Sequence, residues 1–415
     1  MPEPEVNVLV EGFEVDVVWR DARVAVELDG PRHPRHAMAF ERDRERDRIL
    51  QAAGWRVVRI TFRQMRYGRM RLRGARPRPR LPFPRVIPAL TDPWTLGGLR
   101  LENRVVLAPL AGIGNWFVRL QARRFGAGLV ISEMVSSFGL AYGNERTVNE
   151  FLRIHPDEHP VSIQLFGHDP QVMREAAAIT ASAGADLIDL NMGCPVRKVC
   201  KTGAGAALLD DPAKAVAIAQ AARDGSNLPV TVKLRPGSTP DDRRGLELAR
   251  RLVHEAGVAG IAFHPRHASQ QHAGSPDYAL ARELAELLPV PVILSGGLSD
   301  EKRTLAAFEE SQASAVMLAR GSLGNPWRFG RLLGRYHGEP TPREVGEELE
   351  TIIDAAEEHL GTDRAGRYLR KFYPWYADTL GLTKREREPL VTAATTAHAR
   401  TALAALIDRE ISVAA

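Results

Sequence analysis

The sequence lacks the features of a membrane protein and of a disulfide-stabilised secreted one. Its 415 residues contain no uninterrupted apolar stretch long enough to cross a bilayer. Only two cysteines occur, Cys194 and Cys200, and their close spacing suits neither a disulfide scaffold nor a four-ligand zinc site. The first residues carry acids and lack a basic region followed by an apolar run, so no secretory signal is expected. These absences predict a cytoplasmic protein without a membrane partner.

The chain is long enough for more than one domain. At 415 residues it exceeds an ordinary single core, so two or three domains are expected. A composition of 44% hydrophobic and 26% charged residues is typical of a globular protein. The net charge of +5 is modest, but the basic residues are concentrated locally, which is compatible with binding a polyanion.

Residues 1–65 are predicted to form a small α/β segment. The run FEVDVVWRDARVAVELDG has two alternating apolar stretches around an Arg-Asp turn, which is the pattern of a β-hairpin. A highly charged helix candidate and the strand-like run GWRVVRIT follow it. Residues 66–92 are then rich in Arg and Pro and should form an extended basic linker. Two interpretations of this linker stay open, a solvated tether or an arm that contacts RNA.

Residues 93–338 repeat one pattern, in which a β-branched run is followed by a loop and an amphipathic Ala-rich stretch. The runs are VVLAP, GLVISEM, VSIQLF, DLIDLN, VTVKL, GIAFH, VILSG and AVMLA. Eight buried parallel strands separated by helices predict an α/β fold with a closed (β/α)₈ TIM barrel. An open doubly wound sheet would normally carry a Gly-rich dinucleotide motif after its first strand, and LAPLAG does not match it.

Residues 339–415 show helical periodicity without strands and are predicted to form a separate helical domain. Its middle, DRAGRYLRKFYPWYADTLGLTKRER, interleaves Arg and Lys with Tyr and Trp. Cations and aromatic rings together suit the phosphates and unstacked bases of RNA. The alternative is that the aromatic residues belong to the core and the cations to a solvated face.

Barrel strands carry functional groups at their C-terminal ends, and here those groups are distinctive. The loops after strands seven and eight contain Gly296, Gly297 and Arg320, which suits phosphate binding by backbone N–H groups and a cation. Polar side chains of Gln164, Lys233 and His264 would face the same mouth, although each taken singly is also compatible with an ordinary strand end. Together they favour flavin mononucleotide (FMN), with a planar polar ring and a phosphate.

Cys194 lies in a Gly-Cys-Pro loop at this mouth. Its thiol can be a structural small hydrophobe, a nucleophile or a proton donor. An ordinary cysteine, with a pKa of about 8.5, is mostly protonated at neutral pH, as a proton donor requires.

A series of motifs then points to one family. DLNMGCPVRKVCKTGAGAALL, LAPLAG, SIQLFG, TVKLR, HPRH, VILSGG and MLARGSLGNPW occur in the order seen in the tRNA-dihydrouridine synthases, which the chain resembles from about Leu96 to its helical domain. The resemblance implies reduction of the C5–C6 double bond of selected tRNA uridines by FMN, with NADPH as reductant. It also implies that Cys194 is the general acid that protonates C5.

The same resemblance implies further site residues by position. The flavin-contacting positions correspond to Pro109, Leu110, Ala111, Gln164, Lys233, His264, Ser295, Gly296, Gly297, Ala319 and Arg320. The positions expected to face the uracil or the flavin edge correspond to Asn191 and Arg235. Arg266 after strand six and the cations Arg370 and Lys371 of the helical domain are also predicted to contact the substrate. No metal is expected at this site.

Some positions depart from the family pattern. His-Gly-Arg-Thr is common after strand six, whereas this chain has HPRH at 264–267, and it has His272 where Tyr is common. His264 and Arg266 are retained, so the changes affect substrate positioning more than flavin binding. Cys200 replaces a small or polar residue and is interpreted as structural.

The N-terminal segment resembles small endonuclease-like domains related to very-short-patch repair nucleases. Its motifs are FEVDVVW, VAVELDG, the His33/His36 pair and GWRVVRIT. Asp16, Glu27 and Asp29 are candidates for a Mg²⁺ site. The lysine common after the second acid in such nucleases is absent, so a remnant without activity is the favoured interpretation.

Two other functions stay open at this stage. One is a flavin barrel acting on a small molecule such as dihydroorotate, which would not require the basic aromatic helical domain. The other is a nuclease in which the barrel is passive. The tRNA position that is modified cannot be read from the barrel motifs, and a monomer is the default expectation.

Overall fold

The computed structural model describes residues 5–21, 23–29, 49–50, 53–61 and 88–414. The chain divides into two units, Met1–Pro84 and Arg85–Ala415. The finer domain boundaries predicted from the sequence, at residues 65, 92 and 338, stay predictions, and most of the basic linker lies outside the described residues.

The first unit contains a four-stranded sheet in the order β1-β2-β3-β4. Its strands are β1 Glu5–Val10, β2 Phe13–Trp19, β3 Val24–Asp29 and β4 Arg56–Thr61. The predicted hairpin is present as the antiparallel pair β2 and β3, and GWRVVRIT supplies β4, which runs parallel to β3. Alternating apolar residues give this sheet a small core that includes Val15, Val18 and Ala25.

The second unit is built on a closed barrel of eight parallel strands, so the predicted fold class is confirmed. The strands are β7 Val105–Leu107, β8 Leu129–Ser136, β9 Val161–Phe166, β10 Leu187–Asn191, β11 Val230–Leu234, β12 Gly260–Phe263, β13 Val292–Ser295 and β14 Ala315–Leu318. Each strand pairs with the next in the chain, and β14 closes the barrel by pairing with β7.

The strands alternate between the barrel interior and the layer under the helices. In β7, Val106 belongs to the interior cluster, whereas Val105 and Leu107 pack in the larger cluster outside it. A hairpin that the sequence did not predict, β5 Trp94–Leu96 and β6 Leu99–Leu101, adds its apolar side chains to the interior cluster. The hairpin turn lies against the residues before β11 and β12, so it closes the N-terminal end of the barrel.

Helices connect the barrel strands, and several begin at an aspartate that caps the free N–H groups of the first turn. Asp169, Asp211 and Asp300 each accept a hydrogen bond from the backbone three residues on. The helices are α1 Trp116–Arg124, α2 Ser137–Ala141, α3 Pro170–Ser182, α4 Arg197–Cys200, α5 Pro212–Ser226, α6 Arg244–Ala256, α7 Tyr278–Leu287, α8 Glu301–Ser311 and α9 Trp327–Leu332.

One buried ion pair fixes the start of this helical layer. Arg119 on α1 donates to both carboxylate oxygens of Glu158, at 2.6 and 2.9 Å, and both side chains are almost fully buried. Arg119 also donates to the carbonyl oxygens of Gly114 and Arg153. The backbone N–H of His155 donates to the same carboxylate at 2.7 Å. Each charge is therefore paired and hydrogen-bonded, as burial requires.

Five helices follow the barrel. They are α10 Pro342–Leu360, α11 Thr362–Leu369, α12 Tyr373–Thr379, α13 Lys384–Val391 and α14 Thr396–Ala414. They pack on the barrel helix α1, where Gln121 donates hydrogen bonds of 2.8 Å to Glu348 and to the hydroxyl of Tyr376. Tyr373 and Tyr376 are buried in the core, so these two aromatic residues do not form an RNA-stacking surface. Within the described part of the chain, no helix combines the length and apolarity needed to span a membrane.

Candidate active site

A cleft opens at the C-terminal ends of the barrel strands, with a volume of about 1910 Å³. Small-molecule sites commonly occupy roughly 300–1,000 Å³, so this cleft has room for a mononucleotide and a second planar group. The predicted site residues that line it are Cys194, Pro109, Leu110, Ala111, Gln164, Lys233, His264, Ser295, Gly296, Gly297, Ala319, Arg320, Asn191, Arg235 and Arg266. The structure thus brings them together, while the role of each stays a prediction.

A chain of hydrogen bonds crosses the floor of the cleft. Gln164 on β9 donates from Nε2 to Oδ2 of the buried Asp189 at 2.6 Å. Asn191 donates from Nδ2 to Oε1 of Gln164 at 3.1 Å. Thr231 on β11 donates to the other oxygen of Asp189 at 2.6 Å. These side chains occupy alternate positions of their strands, so the two-residue period of a strand directs them toward the barrel interior.

The loop that carries Cys194 is attached to this chain. The backbone N–H of Cys194 donates to Oδ1 of Asn191 at 3.0 Å. Cys200 donates from Sγ to the carbonyl oxygen of Cys194 at 3.3 Å, which agrees with a structural role for the second cysteine. Both thiols are free, and that of Cys194 is partly exposed in the cleft. A thiol held in this way can transfer a proton to a substrate placed above it.

Two cations lie beside the thiol. Lys233 lies at the end of β11, and burial, with the nearby charge of Arg235, lowers the pKa of its ammonium group to about 8. The charges of Asp189 and Cys194 act in the opposite direction. Burial likewise lowers the pKa of the Arg235 guanidinium, to about 10. Lys233 is therefore mostly a cation at neutral pH, and its proton affinity depends on what occupies the cleft.

The loop after β12 is held by its own arginines. Arg235 donates to the carbonyl oxygens of Arg266, His267 and Gln271 at 3.0–3.3 Å. Arg266 donates twice to the carbonyl oxygen of Gly274. The HPRH sequence departs from the family pattern. The loop that it forms is therefore held by hydrogen bonds from these two guanidinium groups.

His264 is neutral at this position. Burial, reinforced by the charges of Lys233, Arg235 and Arg266, holds the pKa of its imidazole well below the ordinary value. Its Nε2 lies 3.3 Å from a guanidinium nitrogen of Arg266. His272 stacks on it at a centroid distance of 6.1 Å. A neutral imidazole can accept a hydrogen bond here without adding another positive charge.

The loop after β13 requires glycine. Gly296 and Gly297 have φ values of +94° and +79°, which favour a residue without a side chain. A Cβ on Gly296 would lie 2.3 Å from a ring carbon of His264, so the loop backbone lies directly against the imidazole. The imidazole of His264 thus occupies the space that a side chain at position 296 would need.

Arg328 on α9 joins this loop to the one after β14. It donates to the carbonyl oxygen of Ser299 and, at 2.6 Å, to that of Gly321. Arg320, in the loop after β14, is exposed and lines the cleft wall. The two glycine-containing loops and this cation line the same cleft, and phosphate binding by them stays a prediction.

A protein-family model matches the part of the chain that forms this cleft. The model described as dihydrouridine synthase (Dus) matches residues 106–411, a range that covers the barrel and the helices after it. The chain belongs to the dihydrouridine synthase family. Within it, the tRNA-dihydrouridine synthase B of Xanthomonas axonopodis pv. citri is 34% identical over 288 residues, which are 68% of this chain and 86% of that protein. The resemblance identified from the sequence motifs is confirmed.

Further comparisons extend this result. A probable tRNA-dihydrouridine synthase of Rhodobacter capsulatus is 35% identical over 320 residues, which are 74% of this chain and 97% of that protein. The solved old yellow enzyme homologue from Zymomonas mobilis aligns with 62% of this chain and 96% of its own at 16% identity and a TM-score of 0.48, a likeness too low to carry an argument. A second family model, REase_MTES_1575, matches residues 3–71, the segment that resembles endonuclease-like domains.

Most of the predicted metal candidates of the N-terminal unit have side chains that lie outside the described residues. Asp16 lies on β2, and the side chains of Glu27 and Asp29 on β3 lie outside the described residues, as do His33 and His36. Among the residues that the structure does describe, no cluster suited to a metal ion is found. The Mg²⁺ site stays a prediction.

Lys371, predicted to contact tRNA, makes a hydrogen bond to the loop after β7, and its contact with tRNA stays a prediction. Its Nζ donates at 2.7 Å to the carbonyl oxygen of Gly112, in the loop after β7. Glu133 accepts from the N–H of the same Gly112 at 2.8 Å. The N–H and the carbonyl oxygen of Gly112 are thus both hydrogen-bonded, the first by a barrel residue and the second by a residue of the C-terminal region. Arg370 is exposed and donates to the carbonyl oxygen of Ala393.

Sequence reasoning missed Asp189 and Arg328. Asp189 had a usable signal, because it alternates with apolar residues in DLIDLN and shares the inward face with Asn191. Trp375 lines the cleft from α12, although its neighbours in sequence are core residues. The role of Arg328 could not be read locally, because it depends on contacts between distant segments.

Proposed function

We propose that this protein reduces the C5–C6 double bond of uridines in tRNA, using FMN that NADPH reduces, with Cys194 as the general acid. The main observation that supports this proposal is that one cleft contains a partly exposed thiol, a lysine of lowered pKa and two glycine-containing loops. Membership of the dihydrouridine synthase family supports this reaction, and the most similar relatives described above are named for tRNA.

The residues present fit FMN. Lys233 and Arg320 supply positive charge for an anionic cofactor, and Gly296 and Gly297 line the cleft without side chains. His264, kept neutral, adds a polar ring beside the glycines. The phosphate would lie at the loops after β13 and β14, and Lys233 would stand near the negative charge of the reduced cofactor.

The chemistry that FMN supplies when bound is hydride transfer to C6 of the uracil ring. The Sγ–H of Cys194 then donates its proton to C5, so one hydride and one proton saturate the double bond. The hydrogen bond from the backbone N–H of Cys194 to the Asn191 side chain fixes the loop that carries the thiol, so the acid is in place before the substrate arrives. Lys233 and Arg235 stabilise the negative charge that the sulfur gains when the proton leaves.

The C-terminal helices support RNA as the substrate. Trp375, Asp378 and Thr379 of α12 line the same cleft as the barrel residues. Exposed Arg370, Lys384 and neighbouring cations on these helices suit a phosphate backbone. A uridine in tRNA must leave its stack to reach the floor of the cleft, and a substrate base delivered in this way needs a second surface to hold the rest of the RNA.

Nucleoside mass spectrometry tests the proposal. Unmodified tRNA is incubated with the protein, FMN and NADPH, and its uridines are examined for the gain of two hydrogen atoms. Cys194→Ala should retain flavin and lose turnover, whereas Cys200→Ala should keep most of it. Flavin turnover on a free pyrimidine without RNA, and none on tRNA, would replace the proposal by a small-molecule reductase.

A further inference from the structure

We infer that Asp189 is a positioning residue, which holds the Cys194 loop in register through the amide side chains of Gln164 and Asn191. The inference rests on the proposed function, because it assigns Asp189 a part in the step that uses Cys194. It is carried by a continuous set of hydrogen bonds across β9, β10 and β11.

The groups at the two ends of this set determine which side chain donates and which accepts in every hydrogen bond between them. A backbone N–H only donates, so the Cys194 N–H requires the oxygen of the Asn191 amide. The nitrogen of that amide must then face Gln164 and donate to its oxygen. The nitrogen of Gln164 is left to donate, and it needs an acceptor at the far end. A carboxylate is the side chain that only accepts, and Asp189 supplies it at 2.6 Å.

Asp189 is itself held in place. It is fully buried in β10, and Thr231 donates to its second oxygen at 2.6 Å. Burial raises the pKa of the carboxyl group, whereas the bonds from Thr231 and Gln164 and the positive charge of Lys233 lower it. The net effect raises the pKa of the Asp189 carboxyl group, and its oxygen that faces Gln164 accepts the hydrogen bond that orients the amides.

Without an acceptor at position 189, the Gln164 amide loses its orienting partner. A reversed Gln164 would present its nitrogen to the nitrogen of Asn191, and a reversed Asn191 would present a donor to the donor N–H of Cys194. The thiol would then have no fixed position relative to the base. Asparagine at 189 avoids this, because its oxygen can accept from Gln164 while its nitrogen donates to the Thr231 hydroxyl.

The experiment follows the two half-reactions of the flavoprotein separately, by flavin absorbance after rapid mixing. The wild type, Asp189→Val, Asp189→Asn, Cys194→Ala and the double variant Asp189→Val/Cys194→Ala are compared. Reduction by NADPH requires no RNA, whereas reoxidation by unmodified tRNA requires the acid. Asp189→Val should slow reoxidation about tenfold or more and change reduction by NADPH by less than about threefold, since a positioned acid contributes roughly 10²–10⁴-fold.

Two comparisons separate positioning from a general structural effect. Asp189→Asn should restore reoxidation to within about threefold of the wild type. The double variant should be no slower than Cys194→Ala alone, because residues that act through one another are not additive. If Asp189→Val does not yield folded flavoprotein, Thr231→Val removes the other hydrogen bond that holds Asp189 and should show the same pattern to a smaller degree.

The outcomes distinguish a failure of the positioning role of Asp189 from a failure of the proposed function. Wild-type flavin that tRNA does not reoxidise overturns the proposed function, whatever Asp189 does. Normal reoxidation in Asp189→Val, equal loss in the valine and asparagine variants, or an additive double variant overturns the positioning role while leaving the reductase in place.

Discussion

Replacing Glu158 by glutamine should destabilise the barrel unit strongly while changing a single atom. Three donors face the two oxygens of Glu158: Nε and Nη2 of Arg119 and the N–H of His155. Glutamine offers one oxygen, so at least one donor would face an NH₂ group. It also leaves the guanidinium of Arg119, which is 1% exposed, without its counter-charge.

The size of this effect follows from burial. Removing one partner of a buried ion pair typically costs about 3–5 kcal/mol, because the remaining charge stays in a medium of low polarity. With a urea dependence of about 3 kcal/mol per M for a unit of this size, the unfolding midpoint should fall by about 1–2 M. The pair between Arg251 and Glu255 has the same two-bond geometry, at 2.7 and 2.9 Å, but lies on an exposed helix face.

Glu255→Gln is therefore the matched control and should leave the midpoint where it is. Urea unfolding followed by circular dichroism on both variants and the wild type measures the difference. If Glu158→Gln unfolds within about 0.3 M of the wild type, buried pairing does not stabilise α1, and the reasoning from burial is refuted.

Three further predictions concern the cleft. Lys371→Met removes the donor to Gly112 and should weaken FMN binding several-fold without unfolding the helices, as measured by flavin fluorescence titration. The ammonium of Lys233 has a pKa of about 8, so FMN affinity should fall as pH rises through 8 and Lys233→Met should abolish that dependence. Gly296→Ala should lose bound flavin, because its Cβ would displace the ring of His264 and its φ is unfavourable for alanine, at a cost of about 1–3 kcal/mol.

Each of these has a control in the chain. Lys384→Met removes an exposed lysine of α13 and should leave FMN binding unchanged. Gly143→Ala introduces the same kind of strain, at φ +65°, where a Cβ meets nothing within 4 Å, and should keep its flavin. Equal flavin loss in both glycine variants would assign the effect of Gly296→Ala to backbone strain alone. An affinity for FMN that is flat between pH 7 and about 9 would contradict the role given to Lys233.

The barrel could be predicted from the sequence because each strand carries its own signal. The runs of β-branched residues mark all eight strands, and a barrel places their C-terminal ends at one mouth, so residues as distant as Gln164 and Arg320 could be assigned to one site. The motif resemblance supplied the chemistry of that site, and the family comparison confirms the family. Periodicity by itself would not have selected a flavin.

The rest depends on contacts between segments far apart in the chain. The helical pattern around Tyr373 and Tyr376 is the same whether the rings face a core or an RNA, and only packing against α1 decides it. The partner of Lys371 lies 259 residues away, so no local pattern could identify it. The β5–β6 hairpin is too short to give a periodic signal.

That hairpin also affects the order in which the reductant and the RNA bind to the protein. In the part of the chain that the structure describes, it fills one end of the barrel, and the predicted site faces the cleft at the other. A reductant and an RNA that both need the same face of the cofactor must therefore take turns at a shared entrance. Steady-state rates should then follow double-displacement kinetics, and excess tRNA should inhibit by competing with the nicotinamide.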